Sequence, residues 1–396
     1  MTARPNSKHA EIVGAGISGL TAATALAQRG WSVRLHERDT AIRAIGAGIY
    51  VWGNGLRALK ALGLYDEAVV GAHIGPALES RDHRNRVVER IEVNTPGRAE
   101  VRTIMRDRLI GTLLKGAEAA GVEIVVGSEA ASAEPDGTLL ASSGKQLLGP
   151  GEADVVIAAD GVNSRIRDGI GMGARRERLS QGATRLTVQR SDDFVPAEDR
   201  DKYIEYFSGR RRVLYTPSSA TSLYVALVAD EQDSAASRVP VDTDAWVRSF
   251  PQLEKLLRSL DGIDARWDTF EFIRLRSWSQ GRVAVIGDAA HAQPPYLGQG
   301  GGCAMMNALG LADALSAPGD AGLEQRLATW ESTERPLIEH TQTWSYRLRL
   351  LNGIPDAPRS PLLSLSGRMK SLGASRMRAA LATPTGSERF RGASAG

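Results

Sequence analysis

Two glycine-rich stretches hold the residues of this chain that could do chemistry. The first is GAGISG, Gly14 to Gly19; the second is GDAAHAQPPYLGQGGGCAM, Gly287 to Met305. In the first, Gly14 permits a tight turn out of a strand, and Gly16 lets backbone N–H groups approach a pyrophosphate. Gly19 lets the following helix pack close to the strand. Ile17 and Ser18 complete this fingerprint. Glu37 lies 18 residues beyond Gly19, at the end of a second strand pattern. A carboxylate there accepts from ribose hydroxyls. It also repels a 2′-phosphate, so the pattern points to FAD or NAD and away from NADP. The plain alternative is a tight strand–helix turn beside a solvated glutamate.

A second acid–glycine pair, Asp160 and Gly161, ends the apolar run ADVVIAAD and precedes Ser164, Arg165 and Arg167. Arg165 could serve a phosphate; a turn with a solvated arginine pair is the alternative. In the later stretch Gly287 and Asp288 close another apolar run, GRVAVIGD. The Asp288 carboxylate can accept from a ribitol or ribose hydroxyl. Gly298, Gly300, Gly301 and Gly302 leave N–H groups bare ahead of a helix, a setting for a flat, transiently anionic ring. Pro294 and Pro295 stiffen the approach. His291 reads as a residue that holds the loop by hydrogen bonds rather than as a catalyst. Cys303, the only cysteine, reads as a small packed residue.

These residues need elements to position them. AEIVGAGISGLTAATALAQRGWSVRLHER reads as strand, turn, helix and strand, with Leu20, Ala23 and Ala27 on one helix face and Gly30 as its stop. A helix carrying Leu109, Leu113, Leu114 and Ala117 ends at Gly121, and a strand follows over Val122–Val126. The runs 153–160 and 281–288 are continuous and apolar, as strands buried on both faces are. A helix is expected from Gly302 to about Leu315. Between these pieces IEYFSGRRRVLYTPSSATSLYVALVA alternates like an antiparallel hairpin. The fold expected is α/β: a Rossmann-like dinucleotide-binding domain interleaved with a mostly antiparallel β-sheet substrate domain and followed by C-terminal helices. The boundaries expected are 1–74, 103–174 and 276–345 for the first domain, 75–102 and 175–275 for the second, and 346–396 for a helical, basic tail with a disordered end.

Composition removes several classes. The chain has 396 residues, 42% hydrophobic and 24% charged, with a net charge of +3, ordinary values for a globular protein. No lysine-rich or aromatic-interleaved basic patch suggests nucleic-acid binding. The six histidines show no metal-ligand spacing, so no metal is expected. No run of about 18 apolar residues offers a membrane span, and the cytoplasm is the expected location. Monomer and homo-oligomer stay open.

Taken together, GAGISGL, AADGVNSRIR and VIGDAAHAQPPYLGQGGGCAMMNALGLADAL resemble, in order and spacing, the signature set of the single-component FAD-dependent aromatic hydroxylases, the para-hydroxybenzoate hydroxylase class. The likeness spans Glu11 to Trp344. Within that class, RLHERDTAIRAIGAGIYVWGNGLRAL, GDAAHA and GCAMMNA look most like the 2-methyl-3-hydroxypyridine-5-carboxylate oxygenase branch. The resemblance implies that Gly14, Gly16, Gly19 and Glu37, with Arg38, bind the ADP half of noncovalent FAD. It also implies cofactor contacts for Arg43, for Gly46, Ala47 and Gly48, and for Arg106. Asp160 and Gly161 would serve both FAD and the pyridine nucleotide. Asp288 would meet the ribityl–pyrophosphate region, and Leu297 to Gly302 the isoalloxazine ring. Tyr50, Arg212 and Tyr224 would act on the substrate, with Pro295 and Tyr296 beside it. Leu78 stands where that branch carries an aromatic, and Tyr296 where it carries a small residue, so a reshaped pocket is expected.

The resemblance implies a reaction as well. NAD(P)H would reduce FAD, O2 would form a C4a-hydroperoxide, and one oxygen would pass to a hydroxypyridine-type or phenolic acid, with ring opening as an optional sequel. Three rivals remain at this point: a flavin oxidase or dehydrogenase, a non-enzymatic flavoprotein, and a quinone hydroxylase held at a membrane surface by the basic tail residues Arg368, Lys370, Arg376 and Arg378.

Overall fold

The computed structural model of the chain describes residues 8–42 and 47–388. Arg43 and Gly46, both expected to touch the cofactor, lie outside them, as does most of the expected disordered end.

The apolar runs become the centre of a six-stranded sheet. His9–Val13, Val155–Ala158 and Val283–Val285 are buried almost throughout, because helices cover both faces. Running in parallel, they join Ser32–Glu37 and Glu123–Val126 in the order 283–285, 155–158, 9–13, 32–37, 123–126. Ser279–Gln280 adds an antiparallel edge. Helix Ile17–Ala27 packs on helices Arg106–Ala119 and Gly300–Leu315. Its buried face carries Ala22, Ala23 and Ala25, and the facing helix offers Ala304 and Ala308; such small side chains let helix axes come close. The helix expected from Gly302 starts two residues earlier. Gly298, at φ 61°, ends the short turn Pro295–Leu297, which leaves Gly300 and Gly301 free to be helical.

A seven-stranded sheet lies apart from the first. Its order is Trp267–Leu275, Ala174–Gln189, Ser222–Asp230, Arg211–Pro217, Tyr203–Ser208, Ala77–Arg81 and Val87–Glu92. Every pairing is antiparallel except Tyr203–Ser208 with Ala77–Arg81. The period of two sorts its residues. Ile204, Tyr206, Val213, Tyr215, Val225 and Leu227 point into a core closed by Trp246, Phe250 and Leu257. Tyr203, Glu205, Phe207, Arg212 and Leu214 point the other way, into a cavity. The expected hairpin is therefore three strands of this sheet.

The tail folds back on the molecule. Helix Leu323–Leu348 runs past the expected boundary at 345, and shorter helices follow at Leu350–Gly353, Asp356–Arg368, Lys370–Arg376 and Arg378–Leu381. The Arg57 guanidinium anchors the last of them by donating to the carbonyls of Ala380 (2.9 Å) and Ala382 (2.7 Å). No helix among the described residues is long and apolar enough to cross a membrane. No group of three His, Cys, Asp or Glu side chains among them could hold a metal ion.

One charged side chain sits inside the first sheet. Glu11 is fully buried, and burial alone would raise its carboxyl. Instead His36 and His9, each at 2.8 Å, and Arg34 at 3.1 Å hold it down at about 2. Its folded value lies below the ordinary one. The stabilisation is therefore present above about 4.5 and is lost as pH falls toward about 2. Denaturant unfolding should show Glu11→Gln less stable by about 3 kcal/mol at neutral pH. The gap to wild type should close as pH falls from about 4.5 toward about 2. A gap that stays constant with pH would remove this role.

Candidate active site

The dinucleotide turn is built as a cleft. Strand His9–Val13 runs into Gly14, which sits at φ 101°, where a Cβ would stand 2.5 Å from the Ala159 carbonyl oxygen. Gly19 is backed against the Gly14 carbonyl, and a Cβ there would overlap it. Gly16 faces open space. The helix beginning at Ile17 has neither a side-chain cap nor an acid in its first turn, so its first N–H groups are available to an anion. Glu37 ends its strand at the cleft edge. Its carboxylate accepts from Ala15 N (2.9 Å) and Asp39 N (3.0 Å), which fixes the acid against the turn. Arg38, Asp160, Gly161 and Arg165 line the same cleft.

Asp160 has one oxygen accepting from Arg165 N at 3.1 Å, while Oδ1 is buried without a partner. Burial raises its carboxyl. Arg165 pairs with Glu129 at 3.3 Å. Arg167 is not solvated: it is buried and donates to Val162 O and Ala289 O, both at 3.1 Å. It thereby ties the second motif to the third. The two glycine stretches also meet directly, because a Cβ at Gly287 (φ 62°) would overlap Ser18 Oγ.

Asp288 begins the short helix Asp288–His291 at the far end of this groove. Its side chain is exposed, yet the surrounding protein raises its carboxyl, opposed by the Arg106 charge. Arg106 itself heads helix Arg106–Ala119, its N–H donating to Ala47 O at 3.0 Å. Gly48 opens strand Gly48–Trp52, where a Cβ would overlap Ser218 Oγ and stand 3.0 Å from Tyr224 Cβ. Its small size therefore serves packing against the second sheet. Leu297 and Gly298 form a turn beside Tyr50 and Trp52, and Gly301 abuts Ile49. Gly300 faces open space, and helix Gly300–Leu315 starts without a side-chain cap or an acid. His291 is buried beside Trp278, ring centroids 5.5 Å apart, and burial holds its imidazole down at about 4. Cys303 is buried, which pushes its thiol up to about 12.

The cavity between the Pro295–Gly298 turn and the second sheet brings together Tyr50, Leu78, Arg212, Pro295 and Tyr296. Tyr50 shares a hydrogen bond with Thr216 Oγ1 at 2.8 Å and meets Tyr203 edge-on at 5.2 Å. Arg212 is no exposed hairpin residue. Only 3% of it is accessible; it pairs with Glu205 at 3.5 Å and lies over the Tyr296 ring at 4.6 Å. The Tyr296 hydroxyl donates to Gln181 Oε1, its ring meets Phe270 edge-on, and burial pushes its phenol up to about 12.

Tyr224 departs from expectation. It projects from the same sheet face, opposite Thr187 and Thr216, but does not line the cavity. It is buried among Ala183, Ala226, Val228 and Phe270, and its hydroxyl, raised by burial, is held by Arg185. The register places it one strand step beyond the cavity edge. Tyr50→Phe, which strands the buried Thr216 hydroxyl, should raise KM about fivefold. Tyr224→Phe should leave KM within about twofold. Steady-state kinetics on both variants check this, and the reverse ranking would put Tyr224 back at the substrate.

Sequence reasoning missed Glu205, Trp52 and Phe207, and the walls Leu351, Leu363 and Met377 from the tail. Alternation in YIEYFSG, Tyr203 to Gly209, puts Tyr203, Glu205 and Phe207 on one face, which is a usable signal. Nothing local marked the tail residues.

The groove fits an extended dinucleotide. Two bare helix starts, the open sides of Gly16 and Gly300, and the orphaned Asp160 Oδ1 all ask for a ligand between them. Residues 8–345 match the FAD binding domain family, and the chain belongs to it, among the FAD-dependent aromatic hydroxylases. It is similar to the 2-heptyl-3-hydroxy-4(1H)-quinolone synthase of Mycobacteroides abscessus, 52% identical over 94% of this chain and 98% of that one. The crystal structure of a tetrameric form of 2-methyl-3-hydroxypyridine-5-carboxylic acid oxygenase superposes with a TM-score of 0.84 at 38% identity, covering 96% of this chain and 97% of the other. The 3-amino-4-hydroxybenzoate 2-monooxygenase of Streptomyces cremeus is 28% identical over 88% of each chain.

Proposed function

We propose that this chain is a single-component, NAD(P)H-dependent flavin monooxygenase. It places one oxygen atom of O2 on a nitrogen heteroaromatic ring that bears an alkyl chain, a 2-alkyl-4(1H)-quinolone being the foremost candidate. The observation that carries this reading is the Pro295–Gly298 turn. It lines the aromatic cavity and leads directly into the bare helix start at Gly300, so a substrate ring and a flavin ring would share one wall.

Bound FAD supplies the redox and oxygen-activating chemistry; the protein supplies position and environment. Gly14, Gly16, Ile17, Ser18, Gly19, Glu37 and Arg38 would hold the ADP half, with Asp160 and Gly161 beside it. Gly287, Asp288 and Arg106 would hold the ribityl region. Leu297, Gly298, Gly300 and Gly301 would hold the ring, with Ala47 and Gly48 at its edge. Tyr50, Arg212, Pro295 and Tyr296 would position the substrate, while the aromatic and leucine walls exclude water. In a 4-quinolone the ring nitrogen feeds electron density to C3. Oxygen delivered there gives the 3-hydroxy pattern in the name of the Mycobacteroides abscessus relative. Leu351, Leu363 and Met377 on the cavity wall suit an alkyl chain better than a small hydrophilic acid.

The same reading divides the chain into an FAD-binding domain, a sheet domain for the substrate and a tail that closes the cavity. It proposes a cytoplasmic enzyme, a monomer or a homo-oligomer. The test is oxidation of NADH or NADPH by the holoenzyme in labelled O2, with 2-heptyl-4(1H)-quinolone, 2-methyl-3-hydroxypyridine-5-carboxylate or a simple phenol. The quinolone should stimulate oxidation and take up one labelled oxygen. Reductant consumption without oxygen in any product would favour the oxidase reading instead.

A further inference from the structure

The cavity wall carries an acid to which none of the described residues donates a hydrogen bond. Glu205 stands mid-strand in Tyr203–Ser208, opposite Ser80 on one side and Leu214 on the other. Among the described residues its one ion pair is with Arg212, at 3.5 Å, and no described side chain or N–H donates to its carboxylate. Its side chain keeps 30% of its accessible surface, so a donor entering the cavity can reach the carboxylate. Burial, with Glu89 nearby, raises its carboxyl against the opposing charges of Arg212 and Arg376.

The remaining charges on this wall are already matched. Glu89 pairs with Arg376, and Glu79 pairs with Arg81. Arg212 is committed to Glu205 on one side and covers the Tyr296 ring on the other. Arg212 Nε has no hydrogen-bond partner among the described residues, but each cation on this wall has an acid beside it, so none is without a countercharge. A carboxylate on the substrate ring would face the Glu205 charge in a poorly screened space. A ring N–H would meet a waiting acceptor.

The geometry points to Glu205 as the residue that accepts a hydrogen bond from the substrate ring N–H, so that the cavity selects neutral N–H heteroaromatics and turns away ring carboxylates. This inference rests on the monooxygenase reading above and assigns its specificity to one side chain. It also gives Arg212, expected to act on the substrate, a partner in Glu205.

The holoenzyme is titrated with 2-heptyl-4(1H)-quinolone, its N-methyl derivative and 2-methyl-3-hydroxypyridine-5-carboxylate, with binding followed by the flavin absorbance change. Wild type should bind the N–H quinolone at least about 10-fold more tightly than the N-methyl compound. Glu205→Leu should erase that ratio, which also controls for the bulk of the methyl group. Glu205→Gln keeps an acceptor and removes the charge. It should retain part of the N–H preference and bind the carboxylate about 10-fold more tightly than wild type. FAD content and melting temperature report folding; if the leucine variant does not fold, the wild-type ratio and the glutamine variant decide. An unchanged ratio in the leucine variant, or unchanged carboxylate binding in the glutamine variant, overturns the assignment. An enzyme that hydroxylates the quinolone but shows no N–H preference overturns the Glu205 role alone. One that shows the preference but adds no oxygen to the quinolone overturns the monooxygenase reading alone.

Discussion

Gly19→Ala should bind FAD at least about 100-fold more weakly than wild type and melt at a lower temperature. The third glycine of the fingerprint sits in the first turn of helix Ile17–Ala27, and a Cβ added there would overlap the Gly14 carbonyl. That neighbour is backbone in a turn already held at φ 101°, so it cannot swing aside as a flexible side chain would. Relief requires the helix to move off the strand, which overpacks the layer between them at a cost of about 3 kcal/mol. The same movement displaces the N–H groups and the Ala15 N–H to Glu37 contact that shape the cleft. A cost of that size corresponds to about 100-fold in affinity. Gly111→Ala is the control. It lies inside helix Arg106–Ala119 with nothing near its missing Cβ, and should be neutral or slightly stabilising. Isothermal titration of apoprotein with FAD, alongside thermal melting, checks both. A Gly19→Ala protein with wild-type FAD affinity would show that the close approach is not needed.

Asp288→Ala should separate cofactor binding from folding. The surrounding protein raises its carboxyl although the side chain is exposed, with no hydrogen-bond donor among the described residues and only the Arg106 charge in its favour. Polyol hydroxyls of a bound ribityl chain would supply the missing donors. Removing the carboxylate then weakens FAD by about 30-fold, the worth of charge-assisted hydrogen bonds. The apoprotein loses only a desolvated charge, so its melting temperature should hold or rise. If the variant purifies fully yellow with wild-type affinity, Asp288 does not hold the cofactor. If the apoprotein melts much lower, the residue is part of the scaffold instead.

Local patterns in this chain determine a good deal. Gly14 makes the tight turn and Gly19 the close helix contact that their spacing requires, because both are short-range steric demands, and Gly16 faces open space. The runs 153–160 and 281–288 become strands covered on both faces, since continuous apolar character leaves no solvent side. Two glycine stretches far apart in the chain frame one groove, and Gly287 against Ser18 is where they touch.

Other features were decided only when distant segments met. Arg212 sits beside two further arginines in a segment that reads as exposed, yet the sheet register turns it inward against Glu205 and Tyr296. The resemblance puts Tyr224 at the substrate, but the register pairs it with Thr187 and Thr216, one strand step beyond the residues that line the cavity. The tail reads as a basic appendage; its helices instead supply Leu351, Leu363 and Met377 to the cavity and pair Arg376 with Glu89. The cofactor groove is thus written in local sterics and legible in sequence. The aromatic cavity depends on register, sheet pairing and a returning tail, which are long-range packing outcomes that no short stretch encodes.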